Sequence, residues 1–492
     1  MTQEALIGLV MLLTLLGAIF VGVPISFTLL FLAFTFGFIG LGHSVFDLAY
    51  FQTMGMMKEE LLAAVPLFVL MGFLTESAGL MERLFVAFRM LLAPVRGALF
   101  LVVILTAAVF AMATGIVGAA VAVLGIMAAP IMTKAGYDQR LAAGAITAGG
   151  TLGILIPPSV MLIVMGPVLG VSVADLYAAA FGPGFLLAGM YIVYLMGRAM
   201  IDPKLGPPVP LDQRAGSLIE IIREVLLGML PLILLIGFTL GSILAGLATP
   251  TEAAGVGAFG AFLLTLLYGR FSWKGFQRAL TATMTTSSMV LLLAVTSNIF
   301  GAVFARLGTA TWLTETLLSL QLPPTLMLVM VLVLIFLLGW PFEWPAIVLV
   351  FLPIFYPIVK QMGIDLVWFG ALVAVVLQTA FLSPPVAMSA YYLKQVAKDW
   401  SLGTIYKGMF QFMIIQIICI AILVLFPSIA TWLPAQLQAA ASKQQISDEH
   451  RKILEEQQNA PSLEDNNEYA INNDKDQPKA QEDEDLKRER SK

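Results

Sequence analysis

Apolar runs close to the length that crosses a bilayer recur along most of this 492-residue chain, among them Ala5 to Phe20, Ile25 to Leu41, Leu99 to Ala113, Phe185 to Leu195, Val225 to Leu247 and Met413 to Phe426. A hydrocarbon core takes about 20 consecutive apolar residues to cross as a helix. Inside it no water is at hand for backbone N–H and C=O groups, so only helices and closed barrels can span. Runs this long suit helices. The expected fold class is therefore an all-α polytopic membrane protein with about ten to twelve embedded segments, some shorter than a full span. Charged residues make up only 12% of the chain, against roughly 25% in soluble domains. The first run is followed by many others and has no small-residue cleavage site, so it reads as a span and not as a removed signal peptide.

Two of these runs break themselves. "GTLGILIPPSVMLI", residues 150 to 163, carries Pro157 and Pro158 in its middle, and "LQTAFLSPPVAMSA", residues 377 to 390, carries Pro384 and Pro385. The two diprolines lie 227 positions apart, and the same offset maps Pro130, Ile131, Gly136 and Asp138 onto Pro357, Ile358, Gly363 and Asp365 without a gap. Apolar matches are cheap in such a chain; coincident Pro-Pro, Pro-Ile and Gly-x-Asp at one offset are not. The chain reads as an internal duplication. Ahead of each Gly-x-Asp corner is a further interruption, at Thr114 in the first half and near Trp340 and Pro341 in the second, with short apolar arms on either side. Re-entrant helical hairpins are expected there. Peptide groups released by a break cannot face lipid, so they line protein or a polar cavity. Matched interruptions in two halves point to a transporter's binding site, where carbonyls hold a cation and half-helix N-termini attract an anion.

Other chemistries find little support. The single cysteine, Cys419, and the two distant histidines, His43 and His450, form no metal cluster, and neither a phosphate loop nor an HExxH motif occurs. A Ser-His hydrolase is disfavoured for the same reason, and no nucleic-acid partner is expected. Thr249, Pro250 and Glu252 spell a helix-capping box, which is the favoured role of Glu252 over an intramembrane site. Glu343 sits at the second hairpin's turn between two tryptophans, as a tip or interfacial residue. The hydroxyls between Thr285 and Ser297 suit helix–helix contacts, and Asn298 is the pathway candidate among them. Arg83, Arg89 and Arg96 before the first hairpin, with Lys134 and Arg140 after it, suggest that it enters from the cytoplasmic side. From Ser442 to Lys492 the chain holds 14 acidic and 9 basic residues with almost no apolar clusters, an acidic tail expected to be disordered.

Four stretches, "VPLFVLMGFLTESAGL" (65 to 80), "KAGYDQRLAAGAITAGGTLGILIPPSVMLIVMG" (134 to 166), "LATPTEAAGVGA" (247 to 258) and "VWFGALVAVVLQTAFLSPPVAMSAYYLK" (367 to 394), resemble the large, DctM-like membrane subunit of the tripartite ATP-independent periplasmic (TRAP) transporters. The resemblance covers roughly residues 1 to 435. It implies two inverted repeats that form a scaffold and an elevator-type transport domain, Na+ as coupling ion, and symport of a small organic acid across the bacterial inner membrane. It also implies two partners, a separate small four-helix membrane subunit and a periplasmic solute-binding protein. The corresponding parts are first-repeat scaffold helices at 1–97, a first hairpin and broken helix at 98–175, a helix and connecting loop at 176–226, second-repeat scaffold helices at 227–322, a second hairpin and broken helix at 323–397, a terminal membrane helix at 398–440 and the tail at 441–492.

By the same resemblance, one Na+ site falls between the first tip, Thr114 to Gly118, and Gly150, Thr151 and Gly153. Its counterpart uses Gly339 and Trp340 with Gln378, Thr379 and Ser383. Pro157, Pro158, Pro384 and Pro385 hold the breaks open, and substrate lies between the tips, in reach of Thr114, Gly115, Thr151, Trp340 and Ser383. The first tip departs from the family's serine-rich pattern: "ATGIVGAAV" has fewer hydroxyls and shifts coordination to backbone carbonyls. A permease that works without a binding protein is the runner-up. An ion channel, which also uses irregular backbone at mid-membrane, is the alternative from another class.

Overall fold

A computed structural model describes residues 2–115, 117–208, 218–384 and 387–458. Helices α1 (Gln3–Phe20), α2 (Ile25–Leu41), α3 (Ser44–Met57), α4 (Ala64–Ser77) and α5 (Leu80–Leu92) precede a helical hairpin, α6 (Ala98–Thr114) and α7 (Val117–Lys134). An interrupted helix follows as α8 (Gln139–Thr151) and α9 (Val160–Leu169), and α10 (Val173–Ile201) closes the first half. The second half opens with α11 (Leu218–Ile236), a π-helical turn and α12 (Ser242–Leu244), then α13 (Pro250–Leu267), α14 (Trp273–Arg306) and α15 (Thr309–Leu318). Its hairpin has α16 (Pro324–Leu338) as entering arm; the return arm runs through α17 (Trp344–Ala346), a second π-helical turn and α18 (Leu352–Gln361). The second interrupted helix is α19 (Leu366–Leu382) and α20 (Met388–Val396), followed by α21 (Leu402–Leu425) and α22 (Ser428–Gln458).

Among the described residues nine helical stretches are long and apolar enough to cross a membrane, and five further apolar helices are shorter. Both return arms, Val117–Lys134 and Trp344–Gln361, are among the nine. This corrects the expectation that every hairpin arm is short: the count runs past the prolines at 130 and 357, which both helices accommodate.

The duplication is visible residue by residue. The return arms begin at Val117 and Trp344 and end at Lys134 and Gln361, each pair 227 apart. Both end the same way. The N–H of Tyr137 donates to the C=O of Met132 at 2.9 Å and that of Ile364 to Val359 at 3.2 Å. The intervening Gly136 and Gly363 have φ of 75° and 68°, the left-handed cap that glycine takes at least cost. The Asp138 carboxylate then accepts from the N–H groups of Arg140 and Leu141 and starts α8; Asp365 does the same for α19 through Trp368. The correspondence extends into the less similar flanks: α13 packs on α4 as α2 packs on α14, and α8 packs on α21 as α19 packs on α10. Exchanging the halves exchanges these contacts, so the body has a pseudo-two-fold axis.

The capping box at the start of α13 is present. Thr249 N–H donates to Glu252 Oε2 at 2.8 Å, and Glu252 N–H donates to Thr249 Oγ1 at 3.3 Å, so Glu252 is a cap. The expectation of disorder from 441 onward fails up to Gln458, where α22 ends. Its Gln, Ala, Lys and Glu residues are good helix formers, and a reading based on missing apolar clusters misses that. Residues 459–492 of the expected tail lie outside the described residues.

Candidate functional site

The first break forms because α8 runs out at Thr151 into a tight turn, Leu152–Ile154, and then meets two prolines with no N–H to continue a helix. One freed carbonyl is satisfied locally, Ser159 Oγ donating to Ile154 C=O at 2.6 Å. Ser159 C=O accepts the first N–H of α9, from Ile163 at 3.2 Å, and the Tyr177 hydroxyl at 3.4 Å. The carbonyls of Gly153 and Pro158 accept no hydrogen bond from the described residues. The first hairpin tip lies directly over them. At Gly115, where φ is 61°, a Cβ atom would sit 3.5 Å from Pro158 O, 3.8 Å from Gly153 O and 3.8 Å from Val160 N. Val160 opens α9, whose Ser159 cap makes no side-chain hydrogen bond to its first turn. Free carbonyl oxygens suited to a hard cation thus lie next to the positive end of a half-helix.

The second break repeats the plan with different detail. Ser383 leaves α19 in extended conformation, its N–H bonded back to Thr379 C=O at 2.8 Å. Ala387 enters α20 at φ 28°. The hydroxyls of Ser383 and Ser389, both buried, have no partner among the described residues. Gly339, at the end of α16, lies against this helix: a Cβ there would be 3.0 Å from Ala380 Cβ.

The two breaks meet at the axis. Thr151 Oγ1 lies 3.3 Å from Gln378 Oε1, a contact between residues 227 apart. Equivalent residues that touch each other must sit on the pseudo-two-fold. Gln416 of α21 joins them, its Nε2 donating to Gln378 Oε1 at 3.4 Å. All three side chains are fully buried, yet Gln378 Nε2 has no partner among the described residues. Such a group costs about 1–3 kcal/mol, a cost retained where function uses the group. Replacing Gln378 by leucine removes that unpaired donor but takes the acceptor from Gln416 Nε2, so the melting temperature is expected to change little while uptake falls; a variant with full uptake would remove this residue from the site.

Several residues expected at the site are elsewhere or do something else. Gly118 faces Tyr392 of α20, its notional Cβ 3.0 Å from the ring, and a Cβ on Gly150 would lie 2.3 Å from Val121 Cγ2. Both glycines let helices close on one another. Trp340 is 42% exposed, edge-on to Phe336, and lines an apolar groove with Leu12, Leu16 and Leu313. Pro157 and Pro158 are buried; Pro384 is exposed. Thr379 is buried with its hydroxyl on Val376 C=O at 2.6 Å. The side chain of Thr114 and all of Pro385 lie outside the described residues. Gln416 was missed in the sequence, although a glutamine inside the run Met413 to Phe426 was its signal. Tyr392 went unnoticed too: it packs on the first hairpin at Gly118.

The profile of the family described as tripartite ATP-independent periplasmic transporter, DctM component, matches residues 10–429. The chain is 30% identical to the sialic acid TRAP transporter large permease protein SiaM of Vibrio cholerae, over 85% of this chain and 96% of that protein. It is 30% identical to the C4-dicarboxylate TRAP transporter large permease protein DctM of Pseudomonas aeruginosa, over 76% and 86%. Among solved structures the YdaH transporter of Alcanivorax borkumensis shares the fold, with a TM-score of 0.59 at 16% identity over 87% of this chain and 98% of that one.

Proposed function

The chain belongs to the DctM-component family of tripartite ATP-independent periplasmic transporters, a family of large permease subunits and not of enzymes, and we propose that it performs Na+-coupled symport of a small organic acid. A periplasmic solute-binding protein delivers the acid, a separate small four-helix subunit completes the membrane part, and the assembly sits in the bacterial inner membrane. The observation that carries the reading is the first tip seated on the first break, where carbonyls of Gly153 and Pro158 that accept nothing from the described residues adjoin the start of α9. Na+ would be held by these carbonyls, and a substrate carboxylate by the N-termini of α9 and α20. Thr151, Gln378 and Gln416 couple the two half-sites through one hydrogen-bonded group. The test is uptake into proteoliposomes holding this chain and its small subunit, with candidate acids, Na+ and the binding protein each omitted in turn. Uptake that saturates and stops without Na+ is expected. Uptake undiminished without binding protein would favour the stand-alone permease, and a non-saturating conductance would favour a channel.

A difference between the repeats supports an elevator-type movement of inverted halves. In the first repeat α4, α5 and α11 pack on the entering arm α6. In the second, the counterparts α14 and α15 pack on the return arm instead, and a groove of about 670 Å³ separates α1 and α15 from α16. Two equivalent halves in unequal packings define a partner state in which the packings are exchanged. In that state the groove closes. Cysteines at Leu313 and Leu337, on its two walls, are expected to cross-link only while transport cycles and to stop it when they do. Cross-linking at the same rate in the presence and absence of substrate and Na+ would count against the movement.

A further inference from the structure

Away from the breaks, a groove of about 560 Å³ runs between α10 and α21. Both are among the helices long and apolar enough to cross a membrane, and Phe185 and Val193 on the groove's rim are exposed, so it faces hydrocarbon. Gly189, whose Cβ would meet nothing within 4 Å, leaves it open beside Ile415. At one end the helices are clamped, the Tyr194 hydroxyl donating to Gln411 Oε1 at 2.6 Å. Arg198, one turn further along α10, donates to that hydroxyl at 3.2 Å and holds its guanidinium 5.9 Å from the centre of the Tyr194 ring. Ile415 lines the groove further in than Gln411, so α21 runs antiparallel to α10 and Lys407 falls one turn beyond Gln411, at the Arg198 end. Arg198 makes no ion pair among the described residues. The start of α8 is at this end too, because Gly408 touches Arg140 and Asp138 N–H donates to Leu205 C=O. Asp138 and Asp202 here accept from backbone N–H groups. Arg140, Arg198, Lys204 and Lys407 outnumber them, and Lys398 cancels Asp399. The end is positive.

From Phe185 to Tyr194 the groove follows nine residue steps of helix, about 14 Å at 1.5 Å per residue. That is close to the ~15 Å of hydrocarbon in one leaflet. An apolar slot of one leaflet's depth, with a guanidinium at its mouth, has the dimensions and charge of one chain and the phosphate of a membrane lipid. We propose that a phospholipid occupies this groove, with one acyl chain against Gly189 and Ile415, its phosphate diester on Arg198, and Lys407 adding positive charge. Basic pockets between membrane helices bind such head groups. One guanidinium N–H goes to Tyr194; an arginine has five, enough left for a two-point contact with phosphate oxygens. The position gives the lipid a role. The α10 helix packs on α19, and α21 packs on α8 and α19, so the lipid fills a seam between the two helices that back both breaks, and holds it closed.

The test is native mass spectrometry with thermal shift on the full chain, delipidated in detergent and titrated with dioleoyl phosphatidylglycerol. Dioleoylglycerol, which lacks the phosphate, and inorganic phosphate, which lacks the chains, are the partial probes. Phosphatidylglycerol is expected to be retained as one molecule and to raise the melting temperature at concentrations where neither partial probe does. Arg198→Gln should raise the lipid concentration for half-saturation about tenfold, through loss of a charge-assisted contact. Gly189→Leu puts a side chain into the open groove, where its Cβ meets no neighbour; it should fold with the wild-type melting temperature in lipid-free detergent and retain no lipid. Lys274→Gln, an exposed cation on α14 outside the groove, should bind lipid as the wild type does. Dioleoylglycerol or phosphate matching phosphatidylglycerol on the wild type overturns the proposal, whether or not the variants fold. So does equal weakening in Lys274→Gln and Arg198→Gln, the mark of unspecific annular lipid, and so does undiminished retention by a folded Gly189→Leu.

Discussion

Valine at position 115 is expected to abolish uptake while the protein still folds and inserts. The backbone there has φ of 61°, a left-handed conformation that costs an L-residue roughly 1–2 kcal/mol and is least tolerated by a β-branched side chain. That is a fall of a few degrees in melting temperature for a large protein. The functional loss has another cause. The Cβ would point at the oxygens of Pro158 and Gly153 from 3.5 and 3.8 Å, and the two methyl groups beyond it fill the space in front of those carbonyls, where a cation would have to sit. Gly115→Ala adds one atom at ordinary contact distance, so it should show most of the strain and only part of the uptake loss. Comparing Na+-dependent uptake with melting temperature separates the two effects. Valine that transports normally would show that the tip does not cover a binding site.

Gly408→Val should fail earlier, at folding. A Cβ at Gly408 would lie 2.1 Å from the carbonyl oxygen of Arg140 and 2.9 Å from the backbone nitrogen of Gly144, and a Cβ at Gly144 would in turn lie 2.9 Å from Gly408 O. These are backbone atoms of α8, which cannot rotate aside. Small residues at such a crossing let two membrane helices approach closely, and overpacking costs about 1–3 kcal/mol even where side chains can shift. Because α8 carries Thr151 and α21 carries Gln416, the same displacement would pull the axis cluster apart. Monodisperse yield by fluorescence size-exclusion chromatography is the measurement; a wild-type elution profile would refute the close crossing.

How much of this could be read in the sequence varies residue by residue. The breaks were legible because proline removes an N–H and clashes with the preceding turn whatever surrounds it. The Gly-x-Asp corners were legible because a left-handed glycine cap followed by an Asp N-cap is a local arrangement. Thr249 and Glu252 belong to the same class. The helix contacts at Gly118 and Gly150 were not legible because a glycine leaves no mark in the sequence to tell a ligand position from a place where two helices touch. The surroundings of Trp340 were not legible because the side toward which a tip residue points depends on which scaffold helix stands next to it.

Composition and local chemistry alone thus determined that this chain is a bundle of membrane helices, doubled, with an interruption in each half. These features are set by bonds and sterics within a few residues, or by the absence of water around them. Only the tertiary structure decided that Thr151 meets its own counterpart Gln378, that Gln416 joins them from another helix, that the scaffold packs unequally on the two hairpins, and that Tyr194 meets Gln411. Those contacts join positions from 38 to more than 200 residues apart, and their geometry comes from how whole helices pack, which no short stretch of the chain encodes.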